Sequence, residues 1–264
     1  STDPYSGTLR IEEMKEMIKA LHDAGIGVIM DSVYNHTYSL EDSCFTKTVP
    51  GYYYRQKADG SVASTSGCGN DTASERSMFR KYMIDSVTYW AKEYHIDGFR
   101  FDLMGIHDIE TMNLIRAELD KINPEILMYG EGWDLGDVLP QDQEALKVNM
   151  KDMDTRIAAF SDDMRDGLKG HVFSADAGGF INYNGKWNKD DGKPYSMGEL
   201  KELVKSGIVA STKHDGIDYS KIYYSSGTWA KEPTQTVNYV SCHDNNTLWD
   251  RIWLSQPDAS EEER

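Results

Sequence analysis

The residues best suited to chemistry stand at the ends of strand-like runs. Gly98-Phe99-Arg100-Phe101-Asp102 alternates apolar and polar side chains. Side chains two apart on a strand share a face, so Arg100 and Asp102 point the same way. A guanidinium beside a carboxylate keeps it ionised and oriented, the state a nucleophilic Asp needs. A structural salt bridge has the same spacing, and spacing alone does not choose between the two. Other polar residues hold comparable positions. Asp31, Asn35 and His36 close one apolar run, Glu131 closes another, and His243 and Asp244 follow a third.

Bringing such groups to one edge requires strands reached through helices. Ile11, Met14, Ile18 and Leu21 recur at helical spacing and predict a helix over Leu9–Ala24, stopped by Gly25. A buried strand over Gly27–Val33 follows. A long polar loop then runs from Asn35 to about Asp71 and carries Tyr52-Tyr53-Tyr54; loops of this length are uncommon and often functional. Phe79, Met83, Val87 and Trp90 share a face of a helix expected over Ala73–Tyr94. A strand over Asp97–Leu103, a helix over Asp108–Ile122 ended by Asn123-Pro124, and a strand over Glu125–Glu131 come next. A short helix is expected at Gln143–Met150 and a strand at Arg156–Ser161. Residues 163–230 read as loop-rich, with one helix over Met197–Ile208. A strand over Thr236–Ser241 and a helix from Leu248 complete the set, with Glu261–Arg264 as a solvated helical end. Five strands alternating with helices predict an α/β fold with parallel strands. In a β/α barrel, the C-terminal strand edge is where active sites form.

The chain has 264 residues, enough to bury a core, with ordinary apolar and charged fractions. A net charge of −16 disfavours nucleic acid and anionic membranes and suits a neutral substrate such as a sugar polymer. Sixteen Tyr and six Trp include candidates for sugar-stacking platforms, although most such rings serve packing. Cys44, Cys68 and Cys242 form no CxxC, so zinc-ligand spacing is absent. Cys44 and Cys68 share one loop and are close enough in sequence to pair; three free thiols are the expected state. Asn188-Lys189-Asp190-Asp191-Gly192 lacks the acidic spacing of a calcium loop and reads as a turn. No phosphate-binding glycine loop, nucleophile-elbow serine, signal peptide or long apolar run is present.

Four segments in order resemble the conserved regions of the α-amylase superfamily, glycoside hydrolase family 13: Val28–His36, Gly98–Asp102, Tyr129–Trp133 and Val240–Asn245. Leu103-Met104-Gly105 follows Asp102, where many α-amylases carry a Lys-His pair. That departure, with Pro50–Arg55, Gly67-Cys68-Gly69-Asn70 and Ser241–Asp250, resembles type I pullulanases over essentially the whole chain. The resemblance implies an incomplete TIM (β/α)8 barrel, covering approximately strands three to seven of a partial catalytic domain over residues 1–264. The group's Tyr-Asn-Trp-Gly-Tyr-Asp-Pro motif would lie upstream of Ser1. A barrel short of three strands would expose two edges, so the isolated piece is expected to be aggregation-prone and inactive.

By the same resemblance, Asp102 is the nucleophile and Glu131 the general acid with a raised pKa, while Asp244 stabilises the transition state. Arg100 keeps Asp102 charged, and His36 and His243 hydrogen-bond the reacting sugar. Trp133 is a stacking candidate. Tyr34, Asp31 and Met104 complete the expected substrate contacts. Asn35 matches a residue that touches calcium in α-amylases; no further ligand is identifiable, and the chemistry requires no cofactor. The implied substrate is an α-glucan polysaccharide or oligosaccharide cleaved at α-1,6 links. An α-1,4-acting or dual-specificity amylase is the alternative enzyme, and a non-catalytic glucan-binding protein the alternative of another class. No nucleic acid or membrane insertion is expected. Large branched glucans do not cross membranes, which points to an extracellular or cell-surface parent.

Overall fold

The computed structural model describes residues 2–136, 138–225 and 227–264. It divides into two compact units, Ser1–Ile157 and Ala158–Arg264. In the first, helix α1 (Leu9–Asp23) leads to strand β1 (Ile29–Ser32), and the long connection contains a short helix α2 (Cys44–Thr48). Helix α3 (Ser77–Tyr94), strand β2 (Gly98–Phe101), helix α4 (Ile109–Ile122) and strand β3 (Leu127–Gly130) follow. The three strands pair parallel, with Asp31 opposite Arg100 and Arg100 opposite Tyr129. In the second unit, β4 (Ile157–Phe160), which begins at the boundary, pairs parallel with β5 (Thr236–Val237). Helices α5 (Asp162–Lys169), α6 (Met197–Ile208) and α7 (Leu248–Ser255) belong to this unit. The expected alternation of helices with parallel strands is present.

The core of the first unit follows the predicted periodicity on α3, apart from half-buried Trp90, but on α1 only Ile18 is buried and Ile11 is exposed. Phe79, Met83 and Val87 of α3 are buried with Ile115 and Leu119 of α4, and Phe99 and Phe101 of β2 are fully enclosed. Asp108 caps α4 by accepting from the Thr111 N–H at 2.9 Å. The second unit has its own apolar cluster of Trp187, Tyr195, Leu200, Leu203, Ile217 and Ile222.

Several expected elements differ. The run Gly27–Val33 is not a buried strand: Ile29 and Val33 are exposed, because β1 ends the strand order and pairs only with β2 among the described residues. Helix α3 starts at Ser77 and not Ala73, since the Ala73 N–H is taken by the Tyr53 carbonyl and Arg76 is extended. Instead of a helix over Gln143–Met150, two 3-10 turns, Gln141–Gln143 and Lys147–Asp152, flank an extended Glu144. Helix α5 lies where loop was expected. Strand β5 stops at Val237, leaving the residues up to Ser241 outside it, and Glu261–Glu263 form a turn rather than a helical end. Asn188 and Pro194 bridge across residues 189–193, a turn as expected. The three cysteines are free.

Close packing of backbone makes two glycines obligatory. A Cβ on Gly130 would stand 2.6 Å from the Phe101 carbonyl oxygen and 2.7 Å from Met104 Cβ, and one on Gly105 would enter the Trp133 carbonyl. Gly105→Ala is therefore expected to destabilise the chain by about 1–3 kcal/mol through overpacking. Gly198→Ala, in helix α6 with only ordinary contact at 3.8 Å, is expected to be neutral or stabilising by up to about 1 kcal/mol. Urea-unfolding midpoints measure both.

Candidate active site

Parallel pairing sets the face on which the polar groups meet. Arg100 lies opposite Asp31 on one neighbour and Tyr129 on the other. In-register residues point to the same side, and so do residues two further on. Asp31, Asp102 and Glu131 therefore converge on Arg100. The guanidinium donates from Nη1 to Asp31 Oδ1 and to Asp102 Oδ1, both at 2.8 Å. Its Nη2 stands 2.8 Å from Glu131 Oε1. The Arg100 side chain is 8% exposed, Glu131 10%, Asp102 25% and Asp31 50%. Burial alone would lower the Arg100 pKa; its bond to Asp102, then Glu131 and Asp31, outweigh that and raise it. The cation is permanent.

Backbone continuity beyond the strands fixes Asp102 and Glu131. The Asp102 N–H donates to the Ser32 carbonyl at 3.1 Å, and the Glu131 N–H to the Phe101 carbonyl at 3.1 Å. Leu103 then turns into the left-handed region, φ +42°. This turn aims its N–H at Glu131 Oε2, 2.9 Å away. Gly105 donates to the Glu131 carbonyl at 2.9 Å. Both Glu131 oxygens thus face donors, Arg100 and Leu103.

Asn35 organises the surroundings of Asp102. It is fully buried. Its amide nitrogen donates to the Asp102 carbonyl at 2.7 Å and to Asp102 Oδ2 at 2.9 Å. Its side-chain oxygen lies 2.5 Å from His36 Nδ1. An amide oxygen only accepts, so His36 is protonated at Nδ1 and, when neutral, offers Nε2 as acceptor. The Asn35 side-chain oxygen, the atom that would meet a calcium ion, is fully buried and already bonded to His36. No cluster of three or more His, Cys, Asp or Glu residues suited to a metal occurs among the described residues.

The long loop braces this corner. The Thr72 N–H donates to the Asn35 carbonyl at 2.9 Å, and its hydroxyl to the Tyr34 carbonyl at 2.6 Å. Asn70 accepts from the Thr37 N–H at 2.9 Å and donates to the Thr37 carbonyl at 2.8 Å. Asp71 accepts from Thr65 and Ser66 backbone N–H groups at 2.7 and 2.9 Å. These bracing roles were not read from the sequence; the polar run Asn70-Asp71-Thr72 was their only signal.

The remaining expected contacts are placed as follows. Tyr34 is buried, stacked near Phe101, with its hydroxyl 2.8 Å from Ser86 Oγ of α3. Met104 is fully enclosed in a 3-10 turn. Met104 has no exposed surface, and Tyr34 keeps 8%. Trp133 is half-buried. His243 and Asp244 lie in the second unit on the loop after β5, with His243 Nε2 3.6 Å from Asp244 Oδ2 and both side chains more than half exposed. In that unit, Lys169, fully buried, donates to the Asn246 carbonyl at 2.8 Å and anchors the same loop.

His107, five residues after Asp102, is fully buried, and neither ring nitrogen has a hydrogen-bond partner among the described residues. Burial first, then the positive charge of Arg55, lower its pKa from 6.5 to about 4.

Over its whole length the chain is similar to part of the pullulanases. It is 40% identical over 261 residues to the pullulanase of Bacillus subtilis (strain 168), covering 99% of this chain and 33% of that protein. The crystal structure of the Paenibacillus barengoltzii pullulanase with maltohexaose and α-cyclodextrin matches with a TM-score of 0.86 at 48% identity, covering 99% of this chain and 37% of that one. The type I pullulanase of B. subtilis with maltose matches at 0.88 and 39%, covering 99% and 34%. The chain thus spans about a third of the length of the curated relative, and its fold is part of a (β/α)8 barrel. No family model matches it.

A depressed histidine pKa means that the unfolded chain binds the proton first. Stability contributed by neutral His107 is full above pH 6.5 and is lost as pH falls through the interval down to about 4. The loss is expected to reach roughly 3 kcal/mol. His107→Leu should flatten that limb in denaturation curves taken between these pH values; an unchanged slope counts against the assignment.

Proposed function

We propose that this chain, a region of pullulanase-type sequence over its whole length, carries catalytic residues of a retaining hydrolase that opens α-1,6 links in pullulan, amylopectin and related α-glucans. The observation that carries the reading is one guanidinium, Arg100, gripping Asp31, Asp102 and Glu131 at 2.8 Å each. The four ordered motifs and the pullulanase relatives support it.

Asp102, paired with Arg100 and aimed by Asn35, attacks the anomeric carbon as the bond to the leaving oxygen breaks. Glu131 gives its proton to that oxygen. In the second half, Glu131 takes a proton from water, the resulting oxygen attacks the glycosyl ester, and Asp102 leaves as carboxylate. Donating a proton requires one Glu131 oxygen to turn to the leaving group and to release Arg100 or Leu103. Asp244 stabilises positive charge on the sugar, while His36 and His243 bind its hydroxyls. Asp31 shares the charge of Arg100, and Trp133 offers a stacking face. No cofactor takes part. Since branched glucans are too large to cross a membrane, the parent protein acts outside the cell or at its surface.

The test is maltotriose release from pullulan by the protein that contains this region. Asp102→Asn and Glu131→Gln are each expected to lower the rate at least about a hundredfold, and because each also removes a charge paired with buried Arg100, rates are compared at a temperature where circular dichroism shows the variant folded. No maltotriose from the unaltered protein would sink the proposal. Release of oligosaccharides from unbranched amylose would favour the α-1,4 or dual-specificity alternative.

A further inference from the structure

Residues 239–246, which carry His243 and Asp244, make no backbone–backbone hydrogen bond among the described residues. Side chains therefore set the course of this stretch. Two of them come from one face of α5, where Arg165 and Lys169 stand one helical turn apart. At one end of the stretch, Arg165 Nη1 donates to the Tyr239 hydroxyl at 2.9 Å, and the guanidinium lies 5.8 Å from the centre of the Tyr239 ring. At the other end, Lys169 Nζ donates to the Asn246 carbonyl at 2.8 Å. Between these points Asn245 is held in the left-handed region, φ +61°. The Cys242 thiol donates to the Asp244 carbonyl, with sulfur and oxygen 3.3 Å apart. The Leu248 N–H closes the loop on Ser241 Oγ at 2.9 Å.

The choice of residue at position 169 is informative. The side chain is fully buried, and taking an ammonium out of water is costly. A methionine would fill nearly the same volume without that cost. What a methionine lacks is a donor for the carbonyl two residues beyond Asp244. Arg165 is relieved of the same cost by Asp166, which accepts from its Nε at 2.5 Å. Its remaining nitrogens are then free to hold Tyr239.

We propose that Arg165 and Lys169 form a two-point clamp on the loop after β5, and that through it Lys169 is a positioning residue for Asp244 in the step where positive charge develops on the sugar. The link to that step rests on the proposed activity; the clamp itself does not.

The experiment compares the protein that contains this region with its Lys169→Met variant. One readout is the rate at which iodoacetamide alkylates Cys242, followed by mass spectrometry of the peptide that carries it. Cys242 is half-buried and bonded to the Asp244 carbonyl, so its labelling reports on the loop. The other readout is kcat and KM on pullulan. With the clamp cut, labelling is expected to quicken at least about threefold. The kcat is expected to fall at least about tenfold, with KM changed by less than about threefold. Tyr239→Phe removes only the hydroxyl at the Arg165 end. It is expected to move labelling and kcat the same way by a smaller factor, and it decides the matter if Lys169→Met does not fold. Tyr224→Phe is the control, since it breaks a bond to Asp166 and leaves both ends of the clamp in place. It is expected to lower the melting temperature with labelling and kcat unchanged. Unchanged labelling in Lys169→Met overturns the clamp. Faster labelling with kcat unchanged, or an effect confined to KM, overturns the positioning role. A Tyr224→Phe variant that loses as much kcat as Lys169→Met overturns it too, since the network then acts through stability alone. If the unaltered protein does not cleave pullulan, the proposed activity fails and labelling still decides the clamp.

Discussion

A single buried cation organises the first unit's chemistry. Taking a guanidinium out of water is costly unless anions surround it. Arg100 meets that requirement with three carboxylates from three adjacent segments, β1, the end of β2 and the end of β3. The converse also holds, since Asp102 and Glu131 would repel each other without the charge between them. Three carboxylates on one guanidinium leave the cluster net negative. Such a cluster suits a reaction whose transition state carries positive charge, the oxocarbenium character of glycoside cleavage.

This arrangement depends on register and on absent side chains. Shifting β1 by one residue would send Asp31 to the opposite face and bring Met30 or Ser32 opposite Arg100. The parallel ladder continues past the strands through Asp102, Glu131 and Gly105, which is why the carboxylates are held by backbone as well as by charge. The left-handed turn at Leu103 is uncommon for a branched residue. Its cost is offset by the bond it permits from the Leu103 N–H to Glu131. Gly130 and Gly105 let the two strand ends approach closely enough for this to happen.

The amphipathic helices and the strand cores were legible because burial imposes a period. Phe79, Met83 and Val87 repeat at helical spacing and are buried as read. Arg100 and Asp102 were legible as a pair for the same reason, since alternation fixes their face. Glu131 joining that pair is a tertiary event, and only motif resemblance foretold it. Asn35 was noticed, but its bond to Asp102 spans 67 residues and leaves no local trace. The loop around Asn70 was legible only as a long polar loop, because its order comes from side chains bonding backbone across the loop, with no repeating apolar position.

Helix α5 shows why polar interiors resist this kind of reading. Its buried positions are Asp162, Asp163, Asp166, Gly167 and Lys169, so the pattern of hydrophobicity inverts what a surface helix displays. These groups are tolerated because each finds a partner. Asp166 accepts from Arg165 and from the Tyr224 hydroxyl, Asp163 from the Ser225 hydroxyl and the Tyr224 N–H, and Lys169 donates to Asn246. Arg251 is only partly satisfied: its Nη2 donates to the His171 and Ala177 carbonyls, while Nε and Nη1 have no partner among the described residues. A network of this kind is costly if half satisfied and rigid if complete. Its placement argues for a purpose beyond packing. Lys169 anchors the loop that carries His243 and Asp244, two residues exposed enough to wander if nothing held their backbone. The first unit holds its carboxylates with a buried arginine. The second holds the backbone of the loop after β5 with a buried lysine, and leaves the His243 and Asp244 side chains exposed.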